Sequence, residues 1–329
     1  MSSLGDVVHA MPAVHDACRA GAQIDWVVEE AFADIPRLHP LVGEIIPIAW
    51  RRWRRNLRTS RQELRSFCER LRETRYDLVL DAQGLIKSAV VSRLARGRGR
   101  AGFSFTSARE PWAAFAYGRR VPVARRAHAV DRQRALFAHA LGYGYDADTV
   151  ATGLEHLAAP QRQVMLLHGT TWASKHWPDA MWVELVRLVQ ADGYQPVVTW
   201  GNAAEQARAD KLADAGARLV PRTTLAQLVQ ELGRSAAVIG VDSGISHLSA
   251  LLGTPTAGLY GATDPVLTGC RGQRTLTLQG QAPCVPCLRQ QCTYAGAPRG
   301  WQDQIVEPAC FASLPPEAVW SATRQAFAL

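Results

Sequence analysis

Short apolar runs alternate with longer amphipathic stretches along most of this chain, and the two spacings predict different elements. A brief continuous apolar run reads as a buried strand, while apolar residues three and four apart read as one face of a helix. In the first half, Ile24–Val28 and Ile45–Ile48 read as strands. Residues 60–74 place Leu64, Phe67, Cys68 and Leu71 on one helical face. Asp77–Asp81 reads as a buried strand, followed by Gly84 and a helix over residues 85–95. Residues 109–115 and 130–141 read as further helices. The alternation restarts in the second half, with strands expected at 164–168, 195–200, 237–241 and 256–260. Helices are expected between them at 178–191, 203–213, 225–232 and 246–252, the first opened by Pro178, since proline suits a first helical turn. A last amphipathic helix is expected at 316–327.

Strand and helix in alternation build parallel sheets covered by helices on both faces. The chain is therefore expected to be α/β, and 329 residues exceed one ordinary core. Gly142, Gly144, Gly153 and Pro160 cluster between the two alternating halves and mark a linker. The expected domains are 1–155 and 156–312, each a doubly wound parallel sheet, with 313–329 as a helix packing back across them.

The first residues are unusual. Val7, Val8, Met11 and Val14 follow at helical spacing, which puts Gly5 and Asp6 in a polar turn at the mouth of a helix. Backbone N–H groups and the positive end of the helix dipole gather anions there. Taken locally, Asp6 could simply cap that helix. In doubly wound domains a strand normally precedes such a turn. No apolar run precedes Gly5 in this sequence, so the first domain is expected to lack its opening strand and to show a gap in its sheet.

Charge sharpens the division. The formal net charge is +8, and residues 1–150 hold 24 Lys and Arg against 16 Asp and Glu, while the remainder holds 13 of each. The excess lies wholly in the first half, which favours a polyanion, an anionic membrane surface or a phosphorylated substrate. Arg51, Arg52, Arg54 and Arg55 form the densest run, with Arg58 and Arg61 beyond and Trp50 and Trp53 interleaved. Arginine grips phosphate and carboxylate in a fork, and tryptophan suits a sugar face or a membrane boundary. A solvated helical face is the bland alternative. A nucleic-acid binder is a further alternative for so basic a chain, although no nucleic-acid motif is present. No apolar run is long enough to span a bilayer, and no basic-then-apolar leader opens the sequence, so a cytoplasmic protein is expected.

Two motifs need weighing. Gly97-Arg-Gly-Arg-Ala-Gly102 matches G-x-G-x-x-G but follows a helical pattern, so it reads as a basic loop rather than a dinucleotide site. Cys284, Cys287, Cys292 and Cys310 are spaced C-x2-C-x4-C-x17-C, which could hold zinc or could be reduced thiols. Cys18, Cys68 and Cys270 are scattered and read as buried thiols.

The second half carries three polar stations, each at the C-terminal end of an expected strand, where open α/β sheets bind ligands. The first runs from His168 to Pro178. It offers the Thr170 and Thr171 hydroxyls and the mobile cation Lys175, a reasonable clamp for a diphosphate. The second is Trp200-Gly-Asn202 with Glu205 behind it, a carboxylate suited to ribose hydroxyls or to capping. The third is Asp242, Ser243, Gly244 and His247, where glycine admits a ligand to the backbone and the next helix points N–H groups at it. Together they predict a nucleotide-diphosphate site.

Asp242-Ser-Gly-Ile-Ser-His247 and Leu259-Tyr-Gly-Ala-Thr-Asp-Pro265 resemble the nucleotide-sugar site of the lipopolysaccharide heptosyltransferases. Ser2-Ser-Leu-Gly-Asp-Val7 resembles their acceptor-side loop. Further segments are similar to the heptosyltransferase I branch: Asp25-Trp-Val-Val-Glu-Glu30, Arg51-Arg-Trp-Arg54, Asp81-Ala-Gln-Gly-Leu85, Lys87-Ser-Ala89, Arg109-Glu-Pro111 and Lys175-His-Trp-Pro178. The similarity extends to about residue 269. The cysteine-rich segment resembles tails of more distant members.

This resemblance implies a GT-B fold, two Rossmann-like domains facing a cleft. It implies transfer of L-glycero-D-manno-heptose from ADP-heptose to the inner Kdo of Kdo-lipid A with inversion, without a required cofactor, by an enzyme peripheral on the cytoplasmic face of the anionic inner membrane. Asp6 matches the general base, with Gly5, His9, Arg51, Arg52, Arg54, Arg55, Lys87 and Arg109 on the acceptor side. Thr170, Thr171 and Lys175 match diphosphate contacts, Glu205 a ribose contact, and Asp242 a heptose contact beside Ser243, Gly244 and His247. A heptosyltransferase II acting on an already heptosylated core is the nearest alternative.

Overall fold

The structure, a computed structural model, describes residues 3–55, 60–154 and 159–329. Arg58, Ser2 and part of the expected linker lie outside the described residues. Contacts divide the chain into two units, Met1–Gly153 and Leu154–Leu329.

The first unit runs α1 (Leu4–Arg19), β1 (Ile24–Glu29), α2 (Asp34–Arg37), β2 (Val42–Ile48), α3 (Trp50–Trp53) and α4 (Arg61–Leu71). It continues β3 (Tyr76–Asp81), α5 (Ile86–Leu94), β4 (Gly97–Phe103), β5 (Arg119–Val121) and α6 (Ala129–Leu141). Helix α1 starts earlier than its apolar spacing indicates. Ser3 is the N-cap, and its hydroxyl accepts the Asp6 N–H at 3.1 Å. Gly5 and Asp6 therefore sit inside the first helical turn, and Asp6 is freed from capping.

The sheet of this unit is split. β1 pairs in parallel with β2, and β3, β4 and β5 form a separate parallel sheet. The described residues begin at Ser3, directly ahead of α1. A cavity of about 240 Å³ lies where the halves adjoin, lined by Trp26 and Ile24 of β1, Leu78 and Leu80 of β3, Val14 of α1 and Val91 of α5.

The Gly97–Gly102 segment corrects the loop reading: it is β4, the middle strand of its sheet. Its glycines are packing devices, not a phosphate cradle. A Cβ on Gly102 would enter the Tyr117 ring, and one on Gly97 would come within 2.6 Å of Val79. The helix expected over 109–115 is instead a 3-10 segment, Pro111–Ala116.

The second unit runs β6 (Gln161–Leu167), α7 (Asp179–Ala191), β7 (Gln195–Val198), α8 (Ala203–Asp214), β8 (Arg218–Leu219) and α9 (Leu225–Gly233). It continues β9 (Ser235–Val241), α10 (Gly244–Leu251), β10 (Thr256–Tyr260), α11 (Pro265–Thr268), β11 (Thr275–Gln279) and α12 (Pro316–Phe327). All six strands are parallel, in the order β11-β10-β9-β6-β7-β8. The chain winds outward from β6 to one edge, then restarts at β9 toward the other. The switch point is thus between β6 and β9, the place where such sheets open a ligand crevice. Val164, Leu166, Ile239, Leu259, Trp177 and Trp182 fill the core between sheet and helices. α12 packs on α7, β9 and β11, with Trp320 Nε1 donating to Asp192 at 2.7 Å.

Candidate active site

In the first unit the site begins at Asp6, whose place in the opening turn of α1 aims its side chain out of the helix end. The carboxylate is 15% exposed and is held by two residues distant in sequence. Arg109 Nη2 donates to Oδ1 at 2.9 Å, and Gln83 Nε2 donates to Oδ2 at 3.3 Å. Gln83 sits just past the end of β3, where Asp81 shapes the turn. Asp81 Oδ1 accepts the N–H groups of Gln83 at 2.8 Å and Gly84 at 3.3 Å, and its other oxygen accepts the Tyr117 hydroxyl at 2.6 Å. Burial, with the charge and bond of Asp81 added to it, keeps the Tyr117 phenol protonated far above its usual range. Gln83 carried no assigned role in the sequence; its position after a strand end was the signal. Lys87, in the first turn of α5, lines the cavity together with Gln83. His9 lies one turn along α1 from Gly5, its ring edge-on to His128 at 6.1 Å.

The arginine run is less free than its sequence indicates. Arg52 bonds Glu30 at 3.2 and 3.1 Å and Glu63 at 2.9 Å. Arg51 lies over the Phe32 ring at 5.3 Å, and its backbone N–H donates to Glu29 at 3.1 Å. Arg54 and Arg55 are exposed. The interleaved tryptophans correct the surface reading. Trp53 is buried in a cluster with Phe67 and Leu71, with Nε1 donating to Glu63 at 2.8 Å, and Trp50 is half-buried against the same cluster.

In the second unit the three polar stations converge on the β6–β9 switch point. Lys175 Nζ meets Asp242 Oδ2 at 2.8 Å and stands over the Trp172 ring at 4.4 Å. Thr170 Oγ1 donates to the Asp242 carbonyl at 3.0 Å, and Thr263 Oγ1 donates to Asp242 Oδ2 at 2.7 Å. Asp242 Oδ1 faces His247 Nε2 at 3.1 Å. Glu205 lies against Gly169, where a Cβ would come within 2.9 Å of its carboxyl carbon, and it accepts the Gly201 N–H at 2.7 Å. Asn202 caps α8, so Glu205 is not the cap. Ser243 caps α10, and Gly244 is the first residue of that helix. Thr171 is exposed.

Burial would raise the Asp242 carboxyl, but the bond and charge of His247 and then Lys175 hold it ionised, well below the usual range. Burial would lower His247; the Cys270 sulfur, 3.6 Å from Nδ1, and Asp242 outweigh it and lift the imidazole to about 9. Two oxygens with roughly four acceptor sites leave Asp242 one position beyond its three partners. The arrangement presents a cation, hydroxyls, a carboxylate and the α10 N-terminus at one strand edge, a set suited to a diphosphate with sugars on either side.

No three His, Cys, Asp or Glu side chains are grouped to hold a metal among the described residues. Cys310 is buried in the core; that burial, with Cys292, Cys284 and Cys287 acting on it, pushes its thiol up to about 12, while Cys284 and Cys292 are exposed and Cys287 is half-exposed.

Residues 64–297 match the model of glycosyltransferase family 9 (heptosyltransferase). The chain is 45% identical to lipopolysaccharide heptosyltransferase 1 of Pseudomonas aeruginosa over 97% of its own length and 94% of that protein's. It is 40% identical to lipopolysaccharide heptosyltransferase 1 of Escherichia coli over 84% of this chain and 90% of the relative. Among solved structures, E. coli heptosyltransferase WaaC with ADP-2-deoxy-2-fluoro heptose superposes with a TM-score of 0.82 at 34% identity, covering 99% of this chain and 97% of the other. The E. coli ADP-heptose lps heptosyltransferase II shares the fold, with a TM-score of 0.70 at 20% identity over 100% of this chain and 97% of that one.

Proposed function

The chain belongs to glycosyltransferase family 9 (heptosyltransferase), and on that premise we propose that it transfers L-glycero-D-manno-heptose from ADP-heptose to the inner Kdo of Kdo-lipid A. Its relatives at 40–45% identity carry the heptosyltransferase 1 name, which favours this acceptor over the heptosylated core that the second transferase uses. The observation that carries the donor reading is the convergence of Thr170, Lys175, Glu205 and Asp242 on one strand edge.

In this reading Asp6 takes the proton from the attacking Kdo hydroxyl as that oxygen bonds the anomeric carbon. ADP departs from the opposite face, so the centre inverts. Arg109 and Gln83 fix the direction of the Asp6 carboxylate. Lys175 and the first N–H groups of α10 meet the charge that develops on the departing diphosphate. Thr170 and Thr171 bind the same group, Glu205 binds the ribose hydroxyls, and the open acceptor position of Asp242 takes a heptose hydroxyl beside Ser243, Gly244 and His247. Gly5, His9, Lys87, Arg51, Arg54 and Arg55 receive the anionic acceptor, and Arg52 supports them through Glu30 and Glu63.

The acceptor is a membrane lipid, so the enzyme works at the cytoplasmic face of the inner membrane. In this reading the attachment is peripheral; no helix among the described residues is long and apolar enough to cross a membrane. ADP release on mixing the chain with ADP-heptose and either acceptor tests the reading. Release with Kdo-lipid A and none with the heptosylated core is expected; the reverse preference would assign the second transfer instead.

A further inference from the structure

Among residues 82–130 there are ten Lys and Arg and a single acid, Glu110. The carboxylate of Glu110 accepts the Ile86 N–H at 2.6 Å. In the middle of this basic stretch the first unit exposes large apolar side chains. Helix α5 presents Ile86 and Val90, half exposed, with Leu94 one turn on. Residues four apart share a helical face, so these three form one stripe. The 3-10 segment Pro111–Ala116 packs beside α5 through Ala89, Ala113 and Ala114, and it exposes Trp112 at 71% and Phe115 at 64%. Trp112 stacks on Phe115 at 5.9 Å, and Phe115 meets Phe105 edge-on at 4.9 Å. Arg120 lies over Phe105 at 5.2 Å, and Arg93 stands exposed beside the α5 stripe.

We infer that the α5 stripe and the Trp112–Phe115–Phe105 cluster form a surface that docks on an anionic phospholipid bilayer. The chemistry is that of an interfacial contact. Rings and aliphatic side chains enter the headgroup boundary, and flanking cations meet anionic lipid. Arg120 against Phe105 sets one such cation on the ring cluster. Duplex nucleic acid would answer the charge but would leave an aliphatic stripe in water. The surface also lies next to the chemistry: Arg109, which holds Asp6, is two residues before Pro111. Docking here sets Asp6 close to the plane from which a lipid-anchored sugar projects. This part of the inference rests on the transfer reading above; the docking itself does not.

The test uses the whole chain with vesicles of phosphatidylethanolamine and phosphatidylglycerol, compared with vesicles of phosphatidylcholine. Co-sedimentation is expected with the anionic vesicles and should weaken as salt rises. Trp112→Ser with Phe115→Ser should lower vesicle binding about tenfold or more, and Arg93→Gln by a smaller factor. The double variant should keep its melting temperature and its turnover on a water-soluble, acyl-free acceptor. Vesicle binding unchanged in the double variant, or absent from the parent chain, would overturn the surface. So would loss of turnover on the soluble acceptor, because that would place the rings in the acceptor site. If the double variant misfolds, Trp112→Ser alone and the Arg93→Gln comparison decide by the same criteria. A chain that loses vesicle binding as expected but transfers no heptose in any form would keep the surface and remove the transfer reading.

Discussion

Asp6 shows how much a single residue's role depends on partners far along the chain. Its sequence position makes it a cap; the hydroxyl of Ser3 takes that duty and leaves the carboxylate to Arg109 and Gln83. Asp6→Asn should lower kcat by roughly 10²–10⁴, the usual worth of a general base, while calorimetric titration with ADP-heptose finds affinity nearly unchanged. Wild-type turnover in that variant would remove Asp6 from the mechanism. Lys175→Ala should weaken ADP binding, and unchanged affinity for ADP would show that Lys175 serves Asp242 alone. Asp242 and His247 also make stability depend on pH. The imidazole is raised from 6.5 to about 9, so its contribution is complete below about 6.5 and is lost as pH rises through about 9. Asp242 is depressed, so its contribution is complete above about 3.8 and fades only in acid below that. The melting temperature should therefore fall between about pH 7 and 10, and His247→Gln should flatten that fall. A parent chain with no alkaline loss would mean the imidazole is neutral in the fold. Residue types at strand ends were legible in the sequence because a polar residue closing an apolar run stands out. Their pairings were not, since Arg109 and Gln83 are remote from Asp6 and nothing local encodes the approach.

At the level of elements, apolar periodicity located most strands and helices to within a few residues, and it failed where another force decides. β4 is built from Gly97, Arg98, Gly99, Arg100, Ala101 and Gly102, a composition with little strand propensity. It is a strand because β3 and β5 pair on both its edges, and because Tyr117 and Val79 occupy the space a side chain would need. Propensity was overridden by tertiary packing, so sequence alone read a loop. The same weakness hid the two tryptophans of α3: Trp53 turns inward to Phe67, while the exposed ring is Trp112, in a segment too short to show periodicity. Gly102→Ala tests the packing account. The added methyl must displace the Tyr117 ring, whose hydroxyl is bonded to Asp81, and overpacking of this kind costs about 1–3 kcal/mol. Urea unfolding should show a midpoint lowered to match. A midpoint equal to the parent's would mean that the ring yields freely and that glycine is not required there.

Across the whole molecule the two units differ in how complete their sheets are. The second has six parallel strands in one sheet, with its switch point flanked on both sides. The first is divided between β1–β2 and β3–β4–β5, with a cavity of about 240 Å³ adjoining β1 and β3. Parallel sheets are normally buried on both faces and continuous, because the strands are apolar throughout and their backbone groups need partners. The chain enters α1 at Leu4 and descends to β1, so a segment placed ahead of Ser3 would arrive beside β1 by the right-handed crossover that parallel strands favour. An engineered extension of about six apolar residues, the ordinary strand length, is therefore expected to fill the cavity and pair with the facing edges of β1 and β3. Each backbone bond so gained contributes roughly 1 kcal/mol, and a few of them should raise the melting temperature by several degrees. Because Asp6 sits one turn from the junction, its carboxylate should be held more rigidly, and turnover should rise with stability. Scanning calorimetry and ADP release on the extended and parent chains measure both effects. Equal melting temperature and equal turnover would show that the first unit closes fully around β1 and β3 as it stands, and that Asp6 owes its position to Ser3, Arg109 and Gln83 alone.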